Sequence, residues 1–302
     1  MNEIPAWAWI GFVATLFVLL GLDLFLHRGH RESSRRAAVV WSIVWVGVGL
    51  GFTGFVWFVG GGERAIEYVA AYAIEKSLSL DNLFVFLIVF KSLKIPKDSQ
   101  RTGLSWGVFG ALIFRAIFIF LGAAALERWT WMAYIFGALL LVAAWRAFLG
   151  VPKEEQESAL VAFLARHLPV SRSASPDRFF VTENGVRKVT PLLLAVLALE
   201  LTDILFAIDS VPAALAVSRS EFVVYSSNAF AILGLRSLYV VMAHTIAELR
   251  YLHWGLGGVL AFAGIKLMIA DWVHVNPLVS VSLIALMIGG ASWASLRERH
   301  AG

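Results

Sequence analysis

The chain has 302 residues, of which 59% are hydrophobic and only 15% are charged; its mean hydropathy is +0.77 and its formal net charge is +4. A water-soluble domain has about 45–50% apolar residues, so this composition excludes an ordinary soluble fold and predicts an all-α, polytopic membrane protein. The sequence contains no cysteine, which excludes disulfides, thiolate metal sites and cysteine nucleophiles.

Apolar runs of about 20 residues, long enough to cross a bilayer, recur from one end of the chain to the other. The first run precedes the first positive charge, Arg28, so we interpret it as a retained first helix and not as a cleaved signal. About nine transmembrane helices are predicted, at residues 7–26, 37–58, 68–90, 104–126, 131–149, 191–217, 222–246, 252–270 and 277–296.

Lysine and arginine are unevenly distributed among the loops between these runs. Eighteen of the 25 lie in one alternating set of loops, whereas the other set contains three. The positive-inside rule then places the N-terminus outside and the C-terminus in the cytoplasm. The positive charge is therefore a topology signal, and no nucleic-acid partner is expected. The predicted location is the bacterial inner membrane, with the lipid bilayer as surroundings.

Residues 150–190 form the only long stretch without a predicted span, and this topology places them in the cytoplasm. The part at 152–168 has the periodicity of a helix that lies along a membrane surface. Asn184-Gly185 between β-prone flanks predicts a hairpin with a two-residue turn. We interpret 150–190 as a linker with a short helix and a hairpin, within a single transporter domain that covers 1–302.

Two polar strings inside predicted spans resemble each other. "EKSLSLDN" runs from Glu75 through Asp81, and "DILFAIDS" runs from Asp203 through Asp209, so the acidic residues have the same spacing in both. The span after each string has a central arginine, Arg115 or Arg236. The following pair of spans match in the placement of glycine and in a basic residue near the end, Arg146 or Lys266. These matches predict two three-helix repeats that cross the membrane in opposite directions, as in many secondary transporters. The predicted repeats are 68–149 and 191–270.

Six acidic residues lie inside the predicted spans, where an ionised carboxylate costs about 2.5–3.5 kcal/mol at the bilayer centre. Each must therefore be protonated, paired or bound to a cation. At about 1.5 Å per residue, Glu75 is expected at the depth of Asp209 and Asp81 at that of Asp203. Pro212 permits a bend in the second acidic helix. The six acidic residues are Asp23, Glu75, Asp81, Glu200, Asp203 and Asp209.

The basic residues in the spans are too few to compensate all of these acids. Arg115 and Arg236 are expected to pair with part of the set, and Lys76 is assigned a structural, charge-pairing role. Asp23 is as readily the packing partner of an arginine as a cation ligand. Glu200 either belongs to the site or faces cytoplasmic water.

The potential ligands in the two strings are carboxylate, amide and hydroxyl oxygens. Such oxygens suit magnesium, calcium or manganese and are poor ligands for copper or zinc. An arriving dication would displace protons from the acids, and its departure would let them return. This gives a physical route to proton-coupled export. The sequence has no nucleophile elbow, Walker loop or dinucleotide fingerprint, so neither an enzyme nor an ATP-driven pump is expected, and no cofactor is predicted.

The strings "EKSLSLDNLFVF" (75–86) and "ELTDILFAIDSVPA" (200–213), with "LDLF" (22–25) and "FFVTENGVRKVTPL" (179–192), resemble the TerC family of integral membrane proteins. The resemblance covers nearly the whole chain. It implies a nine-helix fold of the LysE-like transporter group and a role in metal-ion homeostasis, most often manganese export. The family's name derives from tellurium resistance, a phenotype that identifies no transported ion. The ion site it implies uses Asp23, Glu75, Asp81, Asn82, Glu200, Asp203 and Asp209.

The sequence therefore predicts a proton-coupled manganese(II) antiporter whose inverted repeats rock around a central acidic site. Calcium export stays open, because manganese and calcium take the same oxygen ligands. A different class also stays open: a membrane-protein assembly or stress factor whose buried charges are structural ion pairs and whose contact surface is 150–190. The sequence does not decide between a monomer and a homo-oligomer.

Overall fold

The computed structural model describes residues 4–26, 35–149, 154–171, 178–183, 185–245, 251–273 and 275–301, with the side chains of 80, 81, 84, 154–159, 244, 245, 252, 296 and 298–301 excepted. This part of the chain is almost entirely helical. The helices are α1 (Ala6–Leu26), α2 (Arg35–Ser92), α3 (Lys97–Arg128), α4 (Met132–Phe148), α5 (Glu154–His167), α6 (Pro191–Val217), α7 (Glu221–Ile232), α8 (Leu235–Thr245), α9 (Leu252–Met268) and α10 (Pro277–Ala301).

The outer surface of the helix bundle is strongly apolar, whereas several charged side chains are buried inside it. Large hydrophobic side chains such as Phe58, Ile10 and Leu286 are about seven-tenths exposed or more, while Glu75 and Arg115 are at most 1% exposed. A soluble protein would have the opposite distribution, so these exposed faces are suited to lipid. The expectation of an all-α membrane protein is confirmed.

The number of spans stays a prediction. Within the described residues, five helices are long and apolar enough to cross a membrane, or six if the bent pair α7 and α8 is one span. The helices α4 and α9 are apolar but have only 17 residues each. The predicted spans 37–58 and 68–90 both belong to α2, which changes direction at Gly61 (φ 83°, ψ 178°), a conformation that glycine tolerates best.

Aromatic packing holds the first helices against the middle of the bundle. Phe52 of α2 stacks on Phe230 of α7 with ring centroids 4.3 Å apart, and Phe12 of α1 lies 5.8 Å from Phe222. All four rings are at most 9% exposed. This aromatic core positions α7 beside the second part of α2, which carries the first acidic string.

The matching helices of the two predicted repeats run antiparallel where they meet. Glu67 of α2 accepts a hydrogen bond from Ser218, just after α6, whereas Glu75 is joined to Asp203 further back along α6. The helices α4 and α9 pack closely through glycine. A Cβ atom at Gly137 would lie 2.9 Å from the carbonyl oxygen of Gly264, and one at Gly264 would lie 2.9 Å from the carbonyl oxygen of Gly137. Inverted repeats require both antiparallel arrangements.

Pro212 does not interrupt α6; the helix break in this structure lies between α7 and α8. The helix α6 continues through Pro212 to Val217, and every residue from 210 to 217 is buried. Proline removes only one helical hydrogen bond, and packing on all sides holds this last turn in place. The break occurs between α7 and α8, where Gly234 has φ +78° and the two axes form an angle of 42°.

The hairpin predicted around Gly185 is present. Strands β1 (Phe180–Glu183) and β2 (Val186–Val189) pair antiparallel, and Gly185 has φ +77° in the two-residue turn. Asn184 lies outside the described residues. Next to the hairpin, Thr190 caps α6 by accepting a hydrogen bond from the backbone N–H of Leu193.

The contact between α4 and α9 predicts the effect of adding bulk at its centre. Gly137→Val would push a side chain against the backbone of Gly264, which cannot rotate away, so a loss of about 1–3 kcal/mol in the free energy of unfolding is expected. Thermal unfolding of the purified protein in detergent would measure it. Gly289→Val is the matched control, because no atom lies within 4 Å of a Cβ there. Equal melting temperatures for the two variants would contradict this packing.

Candidate functional site

A single arginine joins the two acidic strings. Arg115, in the middle of α3, donates from Nη1 to Glu75 Oε2 at 2.5 Å. Its Nε and Nη2 donate to the two carboxylate oxygens of Asp203 at 3.2 and 3.0 Å. The three side chains come from α2, α3 and α6 and are at most 5% exposed. A planar guanidinium suits such a bidentate contact, and it fixes both the position and the orientation of its partners.

Two amides extend this cluster. The Asn82 side chain is 5% exposed; with its nitrogen donating to the Leu78 carbonyl at 3.1 Å, its oxygen lies 3.2 Å from Arg115 Nη2. Asn228 of α7 is fully buried beside the Glu75 carboxylate, although neither of its amide atoms reaches hydrogen-bond geometry with a described residue. Glu75 Oε1 also has no hydrogen-bond partner among the described residues. The cluster therefore contains oxygen atoms that the arginine does not use.

Glu200 adds a third carboxylate. It lies three residues before Asp203 on α6, so the two share a helix face, and their charges interact. Its carboxyl group lies directly against Gly110 of α3, in space that a Cβ would occupy. Glu200 Oε2 has no hydrogen-bond partner in the described part of the chain. Glu200 thus lies next to Asp203 and against α3, and we count it with the acidic cluster.

The second predicted arginine pairs elsewhere. Arg236 of α8 lies 3.5 Å from a carboxylate oxygen of Asp23, which is 6% exposed on α1. The charge-pairing expected for Arg236 is therefore observed, and it ties α8 to the first helix. Asp23 is not part of the Arg115 cluster.

The remaining predicted residues are distributed as follows. The side chain of Asp81 lies outside the described part of the structure. Asp209 is partly exposed, about 9 Å further along α6 than Asp203 at the rise of a regular helix. Lys76 donates to the carbonyl oxygens of Ala231 and Leu233, and no described carboxylate forms a salt bridge with it.

Glu75 was expected at the depth of Asp209, and its side chain pairs through Arg115 with Asp203. The Glu67–Ser218 hydrogen bond sets the position of α2 against α6, and eight residues along each helix from that contact place the backbone of Glu75 beside Ser210, next to Asp209. The backbone position therefore agrees with the expected depth, and the long guanidinium side chain connects Glu75 to an acid further along α6. Among the described residues no carboxylate forms a salt bridge with Lys76, because neighbouring helix positions point about 100° apart and Glu75 takes the direction toward Arg115.

The arrangement is an acidic cluster organised around a guanidinium. No group of three or more His, Asp or Glu side chains within the described residues is placed to hold a metal ion directly. Arg115 pairs with Glu75 and Asp203, and Glu200 lies one helix turn from Asp203, so the three acids exceed the one arginine by two negative charges when all of them are ionised. Such an excess in a dry interior requires protons or a cation.

Sequence reasoning missed Asn228. The signal was "SSN" at 226–228, three polar residues in the middle of an apolar helix. Ser226 and Ser227 donate back to carbonyl oxygens of their own helix, whereas Asn228 faces Glu75. Which of the three polar residues faces Glu75 is determined by the packing of α7 against α2, and the sequence pattern alone does not show it.

Comparison with known proteins gives a consistent result. The model of the "Integral membrane protein TerC family" matches residues 60–301, which include all of the Arg115 cluster. A membrane protein from Myxococcus xanthus, STKORF319, is 43% identical over 97% of this chain and 93% of its own length.

Less similar relatives also match along more than nine-tenths of the chain. The "Putative membrane-bound redox modulator Alx" of Escherichia coli strain K12 is 37% identical over 91% of this chain and 90% of its own. A membrane protein from Rickettsia bellii is 33% identical over 96% and 98%. No solved structure matches the chain.

Removing the guanidinium should destabilise the fold. Arg115→Ala leaves Glu75 and Asp203 buried without a counter-charge, and breaking a buried pair in this way costs on the order of 3–5 kcal/mol. Thermal unfolding in detergent should show a lower melting temperature, whereas Arg128→Ala, at the exposed end of the same helix, should not. A melting temperature of Arg115→Ala equal to that of the unchanged protein would show that the cluster does not hold the helices together.

Proposed function

Because the chain belongs to the TerC family of integral membrane proteins, we propose that it is a divalent-cation exporter of the bacterial inner membrane, with manganese(II) as its substrate and protons as the exchanged ion. In this proposal it is a transporter and not an enzyme. The supporting observation is the acidic cluster, in which one buried arginine pairs with Glu75 and Asp203 and a third carboxylate, that of Glu200, lies one helix turn from Asp203.

The charge of the cluster supports a doubly charged substrate. Glu75, Asp203 and Glu200 exceed the charge of Arg115 by two negative charges, which one dication or two protons would neutralise. Burial makes the uncompensated cluster costly, so one of these two partners is required at each stage of transport. Exchange of a dication for protons follows from this requirement.

The available atoms support a hard cation. Glu75 Oε1, Glu200 Oε2 and the amide of Asn228 have no hydrogen-bond partner within the described residues. Carboxylate and amide oxygens favour manganese, magnesium or calcium. We choose manganese because the family resemblance implies it, and calcium export is the variant of the proposal that differs only in the ion.

Arg115 has a defined part in this mechanism. Its guanidinium holds Glu75 and Asp203 in position and reduces their repulsion. An arriving dication would take over part of that role and loosen the hold of Arg115 on one carboxylate. Because Glu75 and Asp203 belong to different repeats, such a change would alter the contact between the repeats, as alternating access requires.

A second function is favoured by a different observation. Arg115 and Arg236 pair with three of the predicted ligands, which is also what structural ion pairs would do. The protein would then be a membrane-assembly or stress factor. The E. coli relative is named as a redox modulator; this chain has no cysteine, so a thiol of its own could not perform that role.

Glu200→Gln separates the two functions. None of the salt bridges among the described residues involves Glu200, so its neutralisation should leave the melting temperature nearly unchanged. If the cluster binds manganese, the loss of one charge should raise the KM for manganese at least about tenfold, about 1.4 kcal/mol in affinity. The measurement is manganese flux into proteoliposomes that contain a metal-sensitive dye. Asp98→Asn, an exposed acid on α3, is the control. Unchanged flux in Glu200→Gln would contradict the proposed site.

A double substitution gives the complementary test. Arg115→Met combined with Asp203→Asn removes one charge of each sign, so structural pairing predicts recovery of stability relative to Arg115→Met alone. An exporter should recover stability without recovering manganese flux, because a ligand is lost. A pH-sensitive dye in the same vesicles would report proton movement. Recovery of full flux in the double variant would favour the structural interpretation.

A further inference from the structure

The break between α7 and α8 has a lysine bound to it. The helix α7 ends at Ile232, Gly234 has φ +78°, and α8 starts at Leu235 at an angle of 42°. The Nζ atom of Lys76, on α2, lies 3.0 Å from the Ala231 carbonyl oxygen and 3.4 Å from that of Leu233.

These carbonyl groups cannot be satisfied within their own helix. The last four carbonyls of a helix have no intrahelical donor, and they carry the negative end of the helix dipole. In lipid no water is available to replace that donor. The ammonium of Lys76 supplies both hydrogen bonds and an opposite charge, and it is mostly buried where it does so.

Lys76 has no acidic partner that would explain its position. Within the described part of the chain, none of the salt bridges involves it, and the adjacent Glu75 is held by Arg115. A charged lysine buried at mid-helix without a carboxylate is costly. The carbonyl oxygens at the end of α7 are therefore what holds the ammonium in place.

The break lies at the level of the acidic cluster. Lys76 is about 14 Å along α2 from Glu67, and Leu233 is about 18 Å along the chain from the start of α7 at Glu221. The Glu67–Ser218 hydrogen bond shows that Glu67 lies next to the turn that precedes α7. Both positions are thus near the middle of the bundle, where broken helices of transporters bind cations through free carbonyl oxygens.

We propose that the end of α7 is a binding site for a monovalent cation, and that the Lys76 ammonium is its permanent, covalently attached occupant. The site consists of the carbonyl oxygens of Ala231 and Leu233 together with the dipole of α7. Its natural ligand class is a small alkali cation such as sodium, which takes carbonyl oxygens as ligands. This inference does not depend on which ion the acidic cluster transports.

The proposal predicts that removal of the ammonium creates a sodium requirement. Lys76→Met keeps the length and apolar stem of the side chain but removes the charge. In N-methylglucamine chloride its melting temperature should fall below that of the unchanged protein. Sodium chloride at equal ionic strength should then raise it by about 2–4 °C, with a saturable dependence on concentration. The unchanged protein should respond equally to both salts.

Two variants make the result decisive. Lys91→Met, an exposed lysine at the other end of α2, should behave as the unchanged protein does. Lys76→Gln, whose amide can still donate to one carbonyl, should be more stable than Lys76→Met and show a smaller response to sodium; it also serves if Lys76→Met does not fold. A melting temperature that is the same in sodium and N-methylglucamine for both Lys76 variants would overturn the proposal. A manganese-flux defect has no bearing on this result.

Discussion

The contact on which the structure depends is the hydrogen-bonded ion cluster of Arg115 with Glu75 and Asp203. Burying three charged groups is costly, and the cost is offset only when their geometry is good and their atoms are used. Two hydrogen bonds to Asp203 and one to Glu75 use all three nitrogen atoms of the guanidinium group, so this condition is met. The three helices α2, α3 and α6 must therefore keep one relative position at this level of the bundle.

This cluster also distinguishes the two predicted repeats. Sequence similarity would give each repeat an equivalent arginine, yet Arg115 joins the predicted repeats to each other whereas Arg236 joins the second one to α1 through Asp23. Glu75 and Asp203 therefore meet at the contact between the predicted repeats. Glu200 lies one helix turn from Asp203, where Gly110 lets its carboxyl group approach the backbone of α3. Under the transport proposal, a cluster that only one of the two arginines forms would give an ion one preferred position and not two.

Much of the fold could be predicted from the sequence, because lipid imposes simple rules. Long apolar helices and the hairpin at Gly185 depend on local pattern, and both were found. The pairing of Glu75 with Asp203 through Arg115 depends on contacts among three helices, which apolar composition does not fix. The role of Asn228 and the position of the helix break at Gly234 depend on contacts between helices, and a pattern of single residues contains no information about them.

Glu75 and Lys76 hold the centre of α2 in two different directions. Consecutive helix residues point about 100° apart, so one binds the arginine of α3 and the other the broken end of α7. A rotation of α2 large enough to release Glu75 would also pull Lys76 from its carbonyl oxygens. The centre of α2 is thus held on two sides by charge. The contact of α4 with α9, by contrast, is built at its centre from glycine and apolar side chains. A shift at that centre would uncover no buried charge of the Arg115 cluster, so relative motion of the predicted repeats should cost least between α4 and α9, with α2 as the fixed axis.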